Sequence, residues 1–312
     1  MIFTLSRLIN RVPTILRSTM ITNQFRTMIS ALNPKPDKSR CRHDKLQAAI
    51  LDWSGTTTDK YVIAPAVVFK DVFDKYGVNI TMEEAREPMG LRKDLHIKAL
   101  TEIPSVKEKW NKVYKRNPTQ EDVDNMFVDF VPMQLECLPK YTELLPETVR
   151  TVDKLRNNYN LKIGITTGFT RKMVDVLLDA SKEQGFVPDA NVAGDEVENG
   201  ARPSPHMVYK NMDLLGVNKN HFVVKVDDTV SGVGEAVNAG CWGVGIARYS
   251  NYMNINSYEF EKNLHRDEIN KKLIVSRDKL KKSGAHYVID TLDDLPDVID
   301  DINMRLKNGE TP

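Results

Sequence analysis

Apolar residues follow two rhythms along this chain: short unbroken runs and stripes at helical spacing. Runs at 48–51, 161–165, 187–193, 221–226, 242–246 and 286–289 predict buried strands. Between them, helical stripes are predicted over 146–156, 173–180, 233–239 and 295–306, and a charged stretch over 258–282 reads as a helical, solvated face. Strands alternating with helices predict an α/β fold, a doubly wound, Rossmann-like parallel sheet. One region breaks the alternation: no strand signal occurs between Tyr61 and Leu144. There, Val67, Val68, Val72, Phe73 and Tyr76 form a helical stripe stopped by Gly77, and Thr81 to Glu84 is a capping box. Further helices are expected at 105–114 and 119–138, the latter opened by Thr119 and Asp122. The expected organisation is a core domain at 45–62 and 143–312, with a helical cap at 63–142 inserted after its first strand.

Residues 1–44 differ in composition. Arg7, Arg11, Arg17 and Arg26 precede the first acidic residue, Asp37, and Leu5, Leu8, Ile9, Val12 and Leu16 share a helical face. That make-up fits an organellar transit peptide, so mitochondrial import is expected, with the cytoplasm as alternative. A disordered basic tail or an over-long gene start reads the same residues. Elsewhere the composition is that of a globular protein, with a net charge of +1 that suggests neither nucleic acid nor an acidic membrane face. No apolar run approaches the roughly 20 residues of a membrane span. Cys41, Cys137 and Cys241 have unrelated spacings, against both a disulfide framework and a zinc site.

The candidate chemistry lies where strands end, the usual place for ligands in such a sheet. The first run ends in Asp52-Trp53-Ser54-Gly55-Thr56-Thr57, a carboxylate followed by a Gly and hydroxyls. Thr56 and Thr57 are expected to offer donors to an anion; a strand closed by an Asx turn is the plainer reading. The second ends in Thr166-Thr167-Gly168, suited to phosphate. Arg202, before Pro203, is a cation suited to a phosphoryl oxygen, or a surface Arg in a turn. The 221–226 run ends in Asp227-Asp228-Thr229, paired acids that suggest Mg2+, or a helix cap. Within the helical insert, Met89-Gly90-Leu91-Arg92-Lys93 leads to His96; Lys93 and His96, three apart, share a helix face. They read as an amine beside a proton relay, or as an exposed Lys and a partly buried His. Arg92 and Asp94 are expected to point elsewhere.

The order of these segments resembles the haloacid dehalogenase superfamily over almost all of 48–300, and most closely its phosphonoacetaldehyde hydrolase (phosphonatase) family. Asp52 to Thr57, Met89 to Lys93 with His96, and Arg202-Pro203 with Lys225 to Thr229 carry the resemblance; the lysine in the cap is its specific mark. It implies hydrolysis of the C–P bond of phosphonoacetaldehyde to acetaldehyde and phosphate. Lys93 would form a Schiff base, Asp52 would attack phosphorus to give an aspartyl phosphate, His96 would relay protons and Met89 would pack beside the imine. Thr167, Gly168 and Arg202 would bind substrate. Asp52, Asp228 and the Ser54 carbonyl would hold Mg2+, and a homodimer through the caps is implied. Ser54 stands where phosphatases of the superfamily carry a second Asp to protonate a leaving alcohol; C–P cleavage has no such oxygen there.

Three positions depart from family members: Ser54 where Ala can occur, Phe169 where Tyr can occur, and Gly232 where Asp can occur. Neighbouring Asp227 is the expected compensation for the last. Two alternatives stay open. One is a superfamily phosphatase or phosphomutase acting on a phosphate ester, which would have no use for Lys93. The other is a catalytically idle relative kept as a scaffold.

Overall fold

The computed structural model describes residues 45–312, so the basic segment expected as a transit peptide lies outside the described residues. Six strands, β1 (Ala48–Leu51), β2 (Lys162–Thr166), β3 (Ala190–Val192), β4 (Val223–Asp227), β5 (Trp242–Ile246) and β6 (Tyr287–Ile289), form one sheet in the order β3-β2-β1-β4-β5-β6. All neighbouring pairs are parallel. β1, β4 and β5 are buried at every position, which explains their near-continuous apolar runs: helices cover both faces of such a sheet. The chain winds outward from β1 to β2 and β3, then returns to place β4 on the other side of β1. The crevice beyond that reversal is the ligand position of open α/β sheets. Leu51 lies in register with Val226, and the Asp52 amide donates to the Val226 carbonyl at 3.1 Å. The two strand ends are therefore level, and the side chains that follow them share one space.

Helices Ile63–Lys75, Met82–Arg86, Lys93–Glu102, Pro104–Tyr114, Gln120–Cys137 and Thr148–Tyr159 fill the chain between β1 and β2. Both anticipated capping boxes form, at Thr81 with Glu84 and at Thr119 with Asp122. Phe69, Phe73, Val123, Met126 and Phe130 are buried among these helices. The entry from β1 has a special backbone: Asp59, Tyr61 and Val62 take positive φ of 48°, 68° and 55°. Such a conformation is unfavourable for a β-branched or bulky residue. The buried Asp59 carboxylate offsets part of that cost by accepting from the Ile63 and Ala64 amides at 3.0 and 3.3 Å, at the positive end of the helix.

Two elements differ from the sequence reading. The strand expected at 187–193 shrinks to Ala190–Val192, because Pro188 has no N–H to give a ladder. The 258–282 stretch is not simply a solvated face. It forms helices Tyr258–Asn263 and Arg266–Lys282, and the second buries Leu273, Ser276 and Leu280. Among the described residues no helix is long and apolar enough to cross a membrane.

Candidate active site

The loops after β1, β2 and β4 converge with the turn at 88–93 on one small cavity of about 20 Å³. Asp52, Ser54, Met89, Lys93, Thr167, Gly168, Arg202 and Asp228 all line it. His96 does not line it and stands behind Lys93 on the same helix; Thr56, Thr57 and Asp227 do not line it either. Space of that size holds about one water.

Glycines permit the tight assembly. A Cβ at Gly55 (φ 81°) would come within 2.6 Å of the Asp228 carboxylate, so Gly55 admits Asp228 to the site. A Cβ at Gly90 (φ 97°) would meet Ser231 Oγ at 2.1 Å and Thr229 Oγ1 at 2.4 Å. That turn is pressed against the loop after β4, and Ser231 Oγ donates to the Met89 carbonyl at 3.3 Å. A Cβ at Gly168 would come within 2.5 Å of the Leu91 carbonyl oxygen.

Arg202 is buried, which removes the reading of a surface Arg in a turn. Its Nη2 donates to Asp52 Oδ1 at 2.8 Å and to the carbonyl and hydroxyl of Thr166 at 2.8 and 3.0 Å. Nε donates to Glu235 Oε2 at 3.1 Å, and Asp227 Oδ2 lies 3.1 Å from Nη2. Lys225 Nζ in turn reaches Asp227 Oδ2 at 2.7 Å. Surrounding acids hold the guanidinium firmly protonated despite its burial. Burial pushes the Asp52 carboxyl up, opposed by Arg202 and reinforced by Asp227.

Oxygens of Asp52, Asp227 and Asp228 lie within 4.8 Å of one another. Burial, followed by repulsion from Asp227 and Asp52, drives the Asp228 carboxyl well above its usual range. Its Oδ2 accepts from the Asn251 amide at 2.8 Å, while the buried Oδ1 has no partner among the described residues. Crowded, desolvated carboxylates with an orphaned oxygen fit a hard divalent cation. Asp228 does not cap the next helix; Thr229 does, through its hydroxyl. Asp227 is largely engaged by Arg202, Lys225 and Thr229. Its carboxylate lies about 2 Å from where a Cβ at Gly232 would stand, so Asp227 fills the space beside that position.

Lys93 is 4% exposed. Its Nζ lies 4.4 Å from the Phe169 ring centre and 5.7 Å from that of Phe69. Desolvation lowers its pKa to about 8, with Asp52 opposing and Arg202 assisting. The His96 ring stacks on Phe69 at 3.7 Å, and its Nε2 lies 2.9 Å from the Ala85 carbonyl. A carbonyl only accepts, so Nε2 carries the hydrogen and Nδ1 keeps a lone pair. That Nδ1 is buried with no partner among the described residues. Burial and then Lys93 hold this imidazole neutral, with its pKa well below the usual value. Arg92 and Asp94 pair with each other at 2.7 Å and are partly exposed.

One expectation fails. Thr57 Oγ1 donates to the Asp52 and Trp53 carbonyls at 2.9 and 3.0 Å, and the Thr56 and Thr57 amides both donate to the Trp53 carbonyl. Neither residue lines the cavity; both amides and the Thr57 hydroxyl close the turn that follows Asp52, and the buried Thr56 hydroxyl has no partner among the described residues. Thr167 does face the cavity, and its Oγ1 accepts from the Phe169 amide at 3.2 Å.

Lys225, which the sequence offers only as part of a motif that carries the resemblance, and Glu235, which it does not single out, both belong to the site; their signals are a lysine among the valines of β4 and the single charge of helix Val230–Ala239. Arg86 leaves no such signal, since Glu83-Glu84-Ala85-Arg86 reads as an exposed helix face.

Residues 46–240 match a family model described as a haloacid dehalogenase-like hydrolase. The chain is 40% identical to the phosphonoacetaldehyde hydrolase of Bacillus cereus over 261 residues, 84% of this chain and 98% of that protein. It is also 40% identical to a bifunctional phosphonoacetaldehyde hydrolase/aminoethylphosphonate transaminase of Clostridioides difficile (strain 630), over 86% of this chain but only 42% of that longer protein. Among solved structures, a phosphonoacetaldehyde hydrolase-like protein from Oleispira antarctica superposes with a TM-score of 0.82 at 35% identity, covering 86% of this chain and 96% of that one.

Proposed function

The chain belongs to the haloacid dehalogenase-like hydrolases and, among them, to the phosphonoacetaldehyde hydrolases, and from that premise we propose that it cleaves the C–P bond of phosphonoacetaldehyde, yielding acetaldehyde and phosphate. The observation that carries this reading is a buried lysine, with its pKa lowered to about 8, lining the same cavity as the Arg202-paired Asp52. A phosphatase of this superfamily has no need of such an amine, and Ser54 offers no acid for a leaving alcohol.

Lys93, as the free amine, adds to the substrate aldehyde and water is lost, giving an imine that is protonated to the iminium. The Nδ1 lone pair of His96 supports the proton transfers this requires, through an intervening water. One Asp52 oxygen attacks phosphorus in line. The C–P bonding pair moves into the iminium, leaving an enamine on Lys93 and an aspartyl phosphate on Asp52. Protonation of the enamine at carbon restores an iminium, water hydrolyses it to acetaldehyde and the Lys93 amine, and a second water hydrolyses the acyl phosphate. Arg202 and Thr167 orient the phosphonate oxygens throughout, and Met89 shields the imine from bulk water. Asp52, Asp228 and the Ser54 carbonyl would hold a divalent cation, Mg2+ in this reading, which when bound neutralises phosphonate charge. Family membership further implies a homodimer assembled through the helical insert, which light scattering of the purified chain tests. Residues 1–44 would direct the chain to the mitochondrion, with the cytoplasm as the alternative, and imaging of a tagged chain decides between them.

The test is stoichiometry together with Lys93→Arg. Acetaldehyde and phosphate should appear in equal amounts. The Arg variant keeps the charge but cannot form this imine, so turnover should fall by several orders of magnitude. Phosphate release from esters alone, or an active Lys93→Arg enzyme, would falsify the proposal.

A further inference from the structure

Arg86 is buried at 4% exposure, on the short helix Met82–Arg86 of the helical insert. All three guanidinium nitrogens are engaged, and every hydrogen-bond partner is neutral. Nη1 donates to the Tyr61 carbonyl at 2.5 Å and to Asn251 Oδ1 at 3.0 Å. Nη2 donates to the Ile255 carbonyl at 2.9 Å and Nε to Asn256 Oδ1 at 3.0 Å. Asn251 answers with Nδ2, which donates to the Arg86 carbonyl at 3.0 Å. Arg86 thus ties the insert both to the left-handed linker at Tyr61 and to the loop that follows β5.

That loop holds Asp228. The Asn251 amide donates to Asp228 Oδ2 at 2.8 Å and Ser250 Oγ donates to the Asp228 carbonyl at 2.8 Å, which leaves Oδ1 as the orphaned oxygen. Burying this cation is costly, a penalty the Asp59 and Asp228 charges only partly offset, and apolar packing would be a cheaper way to hold a helix against a loop. The fork geometry, engaging four acceptors on two segments together with the return bond from Asn251, is what an arginine adds there.

We propose that Arg86 is a positioning residue that couples the seating of the helical insert to cation affinity, acting through Asn251 to hold the Asp228 carboxylate in its cation-binding orientation. The inference rests on the reading of Asp228 as a cation ligand. Groups that orient a ligand without touching the metal typically change its affinity by about 10- to 100-fold.

The experiment is calorimetric titration of the full chain with MgCl2 alone, without substrate. The variants are Arg86→Lys, Arg86→Gln, Asn251→Ala and Asp228→Asn, each checked for native circular dichroism. Asn251→Ala keeps the amide that bonds Asp228 and removes only the tie to Arg86, so it carries the test should an Arg86 variant fold poorly. The expected result is a Kd for Mg2+ raised about 10- to 100-fold in the Arg86 and Asn251 variants. The Arg86→Gln/Asn251→Ala double variant should be no weaker than its weaker parent, because both changes break one linkage. Asp228→Asn should abolish binding. Wild-type Kd in Arg86→Lys and Asn251→Ala, with binding lost in Asp228→Asn, overturns the coupling and leaves the site assignment standing. Wild-type binding by Asp228→Asn overturns the cation assignment itself, and this inference with it.

Discussion

The Phe169 ring offers a direct test of how Lys93 is tuned. Its centre is 4.4 Å from Nζ, in a site from which water is largely excluded. A ring face attracts the ammonium and not the neutral amine, so Phe169 opposes the desolvation that lowers this pKa to about 8. A desolvated contact of this kind contributes about 1–2 kcal/mol, and about 1.4 kcal/mol corresponds to one pKa unit. Phe169→Leu keeps the site apolar and removes the ring. The ammonium loses its stabilisation, the pKa falls further, and the free amine appears at lower pH. The ascending limb of kcat/KM against pH, expected near pH 8 in the wild type, should therefore move down by about one unit. Borohydride trapping of the imine, followed against pH, should shift by the same amount. Phe69→Leu, removing a ring 5.7 Å away, should shift it less. A limb that stays in place or moves upward in Phe169→Leu refutes the reasoning, because it would mean that water entry, not the ring, sets the balance.

Asp52→Asn should release no phosphate yet still form the imine, visible by mass spectrometry as a reduced adduct on the peptide containing Lys93. Gly90→Ala places a Cβ against Ser231 and Thr229 at a backbone φ of 97°, so the turn at 88–93 seats poorly; steady-state kinetics should show KM raised by about tenfold or more, equivalent to at least ~1.4 kcal/mol, and thermal melting a lowered midpoint. Deleting residues 1–44 should leave a soluble chain with wild-type turnover, since β1 begins at Ala48; expression and assay of the truncated chain check this.

Some of this site was legible from local sequence. A short apolar run ending in a carboxylate or in hydroxyls and Gly identifies a strand and the chemistry at its end, so Asp52, Thr167 and Asp228 could be placed beyond the carboxyl ends of the strands from sequence. Helical spacing paired Lys93 with His96, and the two capping boxes set where their helices start. These features depend on residues a few positions apart. What depends on distant partners was not legible. Thr57 looks like an anion donor until its hydroxyl's bonds to the Asp52 and Trp53 carbonyls are seen, and the Thr56 amide is likewise engaged by Trp53. Lys225 and Glu235 gain meaning only when the sheet and helix Val230–Ala239 bring them to Asp227 and Arg202. The desolvation that lowers the Lys93 pKa comes from the insert closing over β1, with Phe169 packed against the amine from the loop after β2. The hold of Arg86 on Asn251 spans 165 residues of chain. Burial and electrostatic fields are sums over neighbours in space, and only the folded arrangement decides which neighbours those are.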